Sequence, residues 1–289
     1  QDVLFNQFHD ILGGASIKAA YTDARDLHGR AILTANELLH FNLQKITAKI
    51  KMPGKNPENV WNLVIWNLNA CGYDGYIEAE VQWAHEFDWY DKGIELEDEC
   101  GNRIKTQVIA EHAAIPRFRS RFIFKAKIPS MGYRCFKVIQ NGEDCEADRR
   151  STDFRVETDR YIYTISRENG SVAEVFDKRA ETVIAGKLLV PNCYEDLGDT
   201  WCFNIDAYGR KLGSFSVVDA QITESGALLD KIKVTLKYDN SILYLYYKFY
   251  KHEEYFDLDY SVNWNESHTV FKLDCAAECD SISAATPYG

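Results

Sequence analysis

The sequence predicts a mainly β protein with an N-terminal helical segment: a partial helical bundle, then a small β-sandwich, then a larger one. Three observations predict this. Apolar residues recur at three- and four-residue spacing to about residue 50, and at two-residue spacing afterwards. A proline- and glycine-rich stretch, Met52-Pro53-Gly54-Lys55-Asn56-Pro57, marks the change. The 17 Tyr, 15 Phe and 6 Trp residues favour strands. The expected domains are residues 1–54, 55–150 and 151–289, the last expected to be incomplete at its C-terminus.

The helical part comes first. Residues 1–12 read as the end of one helix, and Gly13-Gly14 as the break after it. From Ser16 to about Ile50 there is no proline, and Ile17, Ala20, Tyr21, Ala24, Leu27, Ala31, Ala35, Leu38 and Leu39 form an apolar stripe. Ser16 is the expected N-cap. A helix of about 35 residues would span roughly 50 Å and would need helical neighbours.

In the small sandwich, strands are expected at Val60 to Asn67, Tyr76 to Trp83, Phe122 to Ile128 and Tyr133 to Ile139. The polar block from Asn141 to Arg150 is a boundary. In the larger sandwich, strands are expected at Tyr161 to Ser166, Ser171 to Asp177, Phe215 to Glu224, Lys231 to Tyr238, Leu243 to Tyr250 and Tyr255 to Trp264. Arg167-Glu168-Asn169-Gly170 reads as a hairpin turn.

The net charge is −11 at pH 7 and no basic patch stands out, which argues against nucleic acid and anionic membranes as partners. No apolar run approaches the roughly 18 residues of a membrane-spanning helix. The chain does not begin with Met and shows no signal peptide, and it is expected to be a fragment or a processed product. Its eight cysteines form no Cys-x-x-Cys pair. We expect them to be buried free thiols in a reducing cytoplasm, with Cys275 and Cys279 on one face of a strand.

Chemistry-bearing residues are few. His9 and Asp10 sit side by side within Asn6-Gln7-Phe8-His9-Asp10-Ile11-Leu12. On a helix they diverge by about 100°, yet at a helix end both could border one cavity. Neutral histidine is a good zinc ligand, but spacing alone identifies no metal site, and a lone histidine beside apolar residues is more often structural. In Tyr194-Glu195-Asp196-Leu197-Gly198-Asp199-Thr200-Trp201, carboxylates and an indole suit sugar hydroxyls and a sugar ring; the plainer reading is a polar loop with Trp201 tucked into the sandwich. Trp83 is expected in the core.

The segment around His9-Asp10, with the small-residue turn and Ser16-Ile17, resembles the central motif of the α-mannosidases of glycoside hydrolase family 38. Further segments resemble that family in the same order: Asn62 to Leu68, Ile128 to Tyr133, Glu168 to Ser171, Val175 to Lys178, Tyr194 to Trp201, Asp259 to Asn265 and Pro287 to Gly289. The departures are Gly13, where the family commonly has proline, and Cys202 after Trp201, where it commonly has aspartate.

The resemblance implies a supersandwich-like β region and a zinc-dependent retaining glycosidase that removes terminal α-D-mannose from oligosaccharides or glycans. It makes His9 a zinc ligand and Asp10 a contact to sugar hydroxyls, with Trp201 a further substrate contact. It places the nucleophile, the acid/base residue and the other zinc ligands in an N-terminal catalytic domain absent here, so the chain alone is expected to be inactive and to bind zinc weakly or not at all. The other readings are a carbohydrate-binding module and a structural or oligomerisation module, the latter with the helical stripe as a homo-oligomer interface. Binding of mannosides to the chain, or an upstream His-x-Asp motif, discriminates among them.

Overall fold

The computed structural model describes residues 1–51, 60–83, 92–110, 118–144, 154–198 and 205–276, with Lys92 and residues 141–144 described as backbone only. The linker at 52–57, most of the block at 141–150 and the segments holding Trp89 and Trp201 lie outside these residues, as do Cys145, Cys202, Cys279 and Pro287 to Gly289. The chain is mainly β with a short N-terminal helical segment, as the periodicity predicts. It divides into two compact units, residues 1–55 with 196–208, and residues 56–195 with 209–289.

In the first unit, α1 (Asp2–Phe5) and α2 (His9–Leu12) precede the long α3 (Lys18–Thr47). The N-terminal residues thus form two short helices rather than the end of one. The break falls at the glycines, as predicted, and its geometry explains why. Gly14 takes φ +76°, the Ala15 N–H donates to the Asp10 carbonyl at 3.1 Å, and the Gly14 N–H donates to the Ile11 carbonyl at 3.3 Å. This is a Schellman termination, which needs a left-handed residue where glycine carries no Cβ penalty.

The N-cap of α3 is Ile17, in an extended conformation, and no side chain caps the helix. Ser16 therefore lies one residue too early to cap it, and its N–H donates instead to the Tyr21 hydroxyl at 3.2 Å. The Asn6 amide, buried, donates to the Ala24 carbonyl at 3.0 Å, and Asp2 pairs with Arg30 at 2.8 Å. Ala24 is the buried residue of α3, while Ile32, Leu33, Leu38 and Phe41 on its second half are exposed.

The second unit contains two groups of sheets. In the first group, β1 (Val60–Asn67), β2 (Tyr73–Gln82), β3 (Lys92–Asp98), β4 (Arg103–Ile104), β5 (Thr106–Ile109), β6 (Arg119–Ile128) and β7 (Gly132–Asp144) form two antiparallel sheets. Their orders are β1-β7-β3-β4 and β2-β6-β5. Phe122, Phe124, Ala126 and Ile128 alternate along β6 and meet Leu96, Phe136 and Val138. Trp83 joins this core, and its indole N–H donates to the Ser120 hydroxyl at 2.8 Å, so burial leaves no orphaned donor.

The larger group opens with β8 (Arg155–Glu157), β9 (Tyr161–Ile165), β10 (Val172–Asp177) and β11 (Thr182–Leu188), followed by β12 (Val190–Glu195) and β13 (Lys211–Ser214). It continues with β14 (Ser216–Glu224), β15 (Leu229–Tyr238), β16 (Ser241–Tyr250), β17 (Phe256–Asn263) and β18 (Thr269–Asp274). The sheet orders are β11-β10-β9-β8, β13-β12-β18 and β14-β15-β16-β17. On β15, Ile232, Val234 and Leu236 face the core while Lys231, Lys233 and Lys237 alternate with them. Tyr247 is fully buried and donates to the Gly170 carbonyl at 2.7 Å, which satisfies its hydroxyl. Gly170 has φ +68°, which places the left-handed residue of the predicted hairpin turn.

The two sheet groups meet along a seam inside this unit. Tyr76 and Ile123, on the second face of the β2-β6-β5 sheet, pack with Leu228, Leu229 and Tyr250. The Gln107 side chain crosses the seam. Its Oε1 accepts from the Leu228 and Leu229 N–H groups at 2.8 Å each, and its Nε2 donates to the Leu229 carbonyl at 2.8 Å. A sheet buried on both faces cannot show clean alternation, which is why β2 and β6 mix the two patterns.

Candidate functional site

His9 and Asp10 occupy the first turn of α2, next to Phe8, whose ring centroid lies 4.3 Å from that of His9. Their divergence on a helix does not separate their polar ends. The His9 Nε2 lies 3.6 Å from the Asp10 Oδ1, just beyond hydrogen-bond distance. The His9 side chain is 74% exposed and that of Asp10 44% exposed. Within this unit neither is spent on packing, so both can meet an external ligand.

The turn that carries them is held from behind. The Tyr21 hydroxyl donates to the Asp10 carbonyl at 3.2 Å, lies 3.4 Å from the Ile11 carbonyl and accepts the Ser16 N–H. Together with the Schellman bonds, this uses the carbonyls at the C-terminal end of a helix too short to be stable alone. In the sequence Tyr21 reads only as part of the apolar stripe. Its second role has no periodic signal, because it depends on where the glycine turn sends the chain.

A zinc centre takes three or four protein ligands. Among the described residues no group of three or more His, Cys, Asp or Glu side chains could hold a metal ion. His9 and Asp10 offer one imidazole and one carboxylate, so the residues present do not fit a complete zinc centre.

Trp201 lies outside the described residues. Of the carboxylates before it, Glu195 and Asp196 are described and go to separate local partners. Glu195 pairs with Arg210 at 2.7 Å, and Asp196 accepts the Gly198 N–H at 3.1 Å. The Tyr194 hydroxyl bonds the Asp274 carboxylate, which also accepts from Asn192 at 2.5 Å. That hydrogen bond and burial push the Tyr194 hydroxyl pKa up, while the Asn192 and Tyr194 donors hold the Asp274 carboxyl below its usual value against the opposing effect of burial.

Five cysteines are free thiols among the described residues, but the expectation of burial holds for Cys193 only. Cys71, Cys100 and Cys275 are exposed and Cys135 is half-buried. Strand β18 stops at Asp274, so Cys275 falls beyond the strand on which we expected it. Burial pushes the Cys193 thiol pKa up to about 12, which keeps it protonated and unreactive. No helix among the described residues is long and apolar enough to cross a membrane.

No curated protein matches the chain. Residues 156–288 match the family model described as Glycosyl hydrolases family 38 C-terminal domain. The matched segment begins at Val156 in β8 and takes in most of the larger sheet group, so this part of the chain is similar to the C-terminal domain of that family.

Proposed function

We propose that the chain is part of a zinc-dependent retaining α-mannosidase that removes terminal α-D-mannose from oligosaccharides or glycans, in the cytoplasm. The observation that carries this reading is the family match over residues 156–288, joined to the ordered resemblance that begins at His9-Asp10. The exposure of both side chains on a braced turn supports their roles. In this reading His9 contributes one imidazole to a metal whose other ligands lie outside the described residues, and Asp10 accepts hydroxyl protons of the bound sugar. Trp201 is proposed as a further sugar contact.

We assign no nucleophile to this chain. A retaining glycosidase needs two carboxyl groups about 5–5.5 Å apart across the scissile bond. The proposal places that pair in an N-terminal catalytic domain, with the β sheets as scaffold behind it. The chain alone then leaves an aryl α-mannoside intact, and a longer protein that includes the catalytic domain hydrolyses it with net retention.

The test is to assay both proteins on aryl α-mannoside, α-glucoside and α-galactoside, with and without a chelator. Turnover by the purified chain alone, or a longer protein indifferent to chelation or to the sugar, would refute the assignment.

A second reading has its own observation. Ile32, Leu33, Leu38 and Phe41 are exposed on α3, which suits a structural or oligomerisation module. A chain that sediments as a dimer, and becomes a monomer when Leu38 and Phe41 are changed to Ser, would favour that reading.

A further inference from the structure

We propose that Phe8 is a positioning residue for the His9 imidazole: its ring, brought against the imidazole by the extended backbone ahead of α2, fixes the direction in which the imidazole nitrogens point. The role rests on the reading of His9 as a metal ligand given above. The ring contact does not depend on that reading.

Neighbours in sequence do not face each other on a helix, because their side chains diverge by about 100°. Phe8 and His9 escape that rule because α2 begins at His9. Phe8 is still extended, with φ −63° and ψ 139°. Its ring can therefore fold back onto the first helical residue. The two ring centroids lie 4.3 Å apart with the planes tilted by 38°. That is closer than the roughly 4.5–7 Å of most aromatic pairs. The Asp10 Oδ1 lies 3.6 Å from the imidazole Nε2. A ring thus bounds the imidazole on one side and a carboxylate faces one of its nitrogens.

Neither helix stability nor burial accounts for a phenylalanine at this position. It is the N-cap of α2, where Ser, Thr, Asp or Asn would accept an N–H of the first turn. Phe8 has no such acceptor, and no side-chain bond caps the helix. Its side chain belongs to none of the hydrophobic cores and Phe8 is 58% exposed. A residue that breaks a local rule is expected where function sets the choice. What the ring does here is restrict an imidazole that is otherwise 74% exposed. A side chain ordered beforehand loses less rotational entropy when it takes up a ligand. A phenyl ring also brings no donor atom to compete for a metal. Tyr21 holds the backbone of this turn, and Phe8 holds the side chain that the turn presents.

The test compares Phe8→Ser, Phe8→Leu and Phe8→Tyr in this chain by NMR, reading the ring-current shift and the order of the His9 imidazole. Phe8→Ser supplies a capping side chain, so exchange of the Asp10 and Ile11 amides should slow. In the same variant the ring-current shift should vanish and imidazole order should fall. Phe8→Leu, apolar but without a ring, should lose the order as well, and Phe8→Tyr should keep it. A purely structural Phe8 predicts the opposite for Phe8→Ser: a firmer helix and an unchanged imidazole. In a longer protein that binds zinc, chelator competition should show severalfold weaker binding in Phe8→Ser and Phe8→Leu and parental binding in Phe8→Tyr. Unchanged imidazole order or unchanged zinc affinity in both Phe8→Ser and Phe8→Leu overturns the proposal. A longer protein that binds no zinc refutes the metal reading instead, and the NMR comparison on this chain still decides the ring contact.

Discussion

The Tyr21 hydroxyl donates to the backbone carbonyl of Asp10, and so the long helix holds the turn on which His9 and Asp10 stand. The contact joins residues eleven apart in the chain through the glycine turn between them. It makes the orientation of two exposed side chains a consequence of helix docking rather than of α2 itself.

Tyr21→Phe should therefore loosen that turn without unfolding α3. Losing the hydroxyl leaves the Ser16 N–H to water and the Asp10 carbonyl with the Ala15 N–H alone, at a cost of about 1 kcal/mol. Gly14→Ala should cost about 1 kcal/mol as well, because it forces a left-handed alanine. Amide exchange at residues 9–15 should quicken in both variants while the interior of α3 stays protected. Unchanged exchange at Ala15 would show that the brace is not what holds the turn.

At the seam, Gln107→Ala removes three hydrogen bonds and leaves the Leu228 and Leu229 amides without their acceptor. The expected loss is about 2–4 kcal/mol, since unsatisfied buried groups cost more than an average hydrogen bond contributes. Gln107→Glu should also destabilise, because it sets a carboxylate oxygen against the Leu229 carbonyl. Denaturant unfolding checks both. A midpoint unchanged in both variants would mean that the seam rests on apolar packing alone.

Glu224 gives a pH prediction with a definite sign. Burial raises its pKa, aided by Glu78, against the Ala110 N–H, Lys231 and Arg121, which act in the opposite direction. The folded state therefore binds this proton more tightly than the unfolded chain. The resulting stabilisation is present below the unfolded carboxyl pKa and is lost as pH rises from that value through the folded pKa. Glu224→Gln keeps an acceptor for the Ala110 N–H and cannot ionise. Its stability relative to the parent should therefore rise with pH across that window, which thermal melts at stepped pH would read. A relative stability that falls with pH would reverse the sign of the shift.

In a longer protein with mannosidase activity, His9→Ala and Asp10→Ala should differ. Loss of a metal ligand lowers metal content, and excess zinc partly restores the rate. Loss of a sugar contact leaves metal content intact and lowers kcat/KM. Full metal content and a parental rate in His9→Ala would end the ligand assignment.

Local pattern sufficed for the elements whose burial is one-sided. Val60–Asn67 appears with its predicted ends, and Leu229–Tyr238 and Ser241–Tyr250 begin two residues before theirs. Each of the latter pair places one apolar face on a core, so a two-residue period survives in the chain. The break at Gly13-Gly14 was legible for a similar reason, since glycine there answers a local backbone demand. Lys92–Asp98, Thr182–Leu188 and Val190–Glu195 escaped detection. Four of the seven residues of Lys92–Asp98 are charged, Thr182–Leu188 is largely exposed, and Val190–Glu195 has Pro191 as its second residue. Their pairing partners, not their composition, make them strands. The adjacency of His9 and Asp10 was plain from the residues, but the 3.6 Å between their polar atoms and the brace from Tyr21 were not. Nor was the tyrosine cluster at the seam, which brings Tyr76 together with Tyr250 and Tyr255 from positions more than 170 residues apart. Periodicity records which face of an element is buried; it carries no information about which distant element buries it, and the seam exists only once two sheets choose each other.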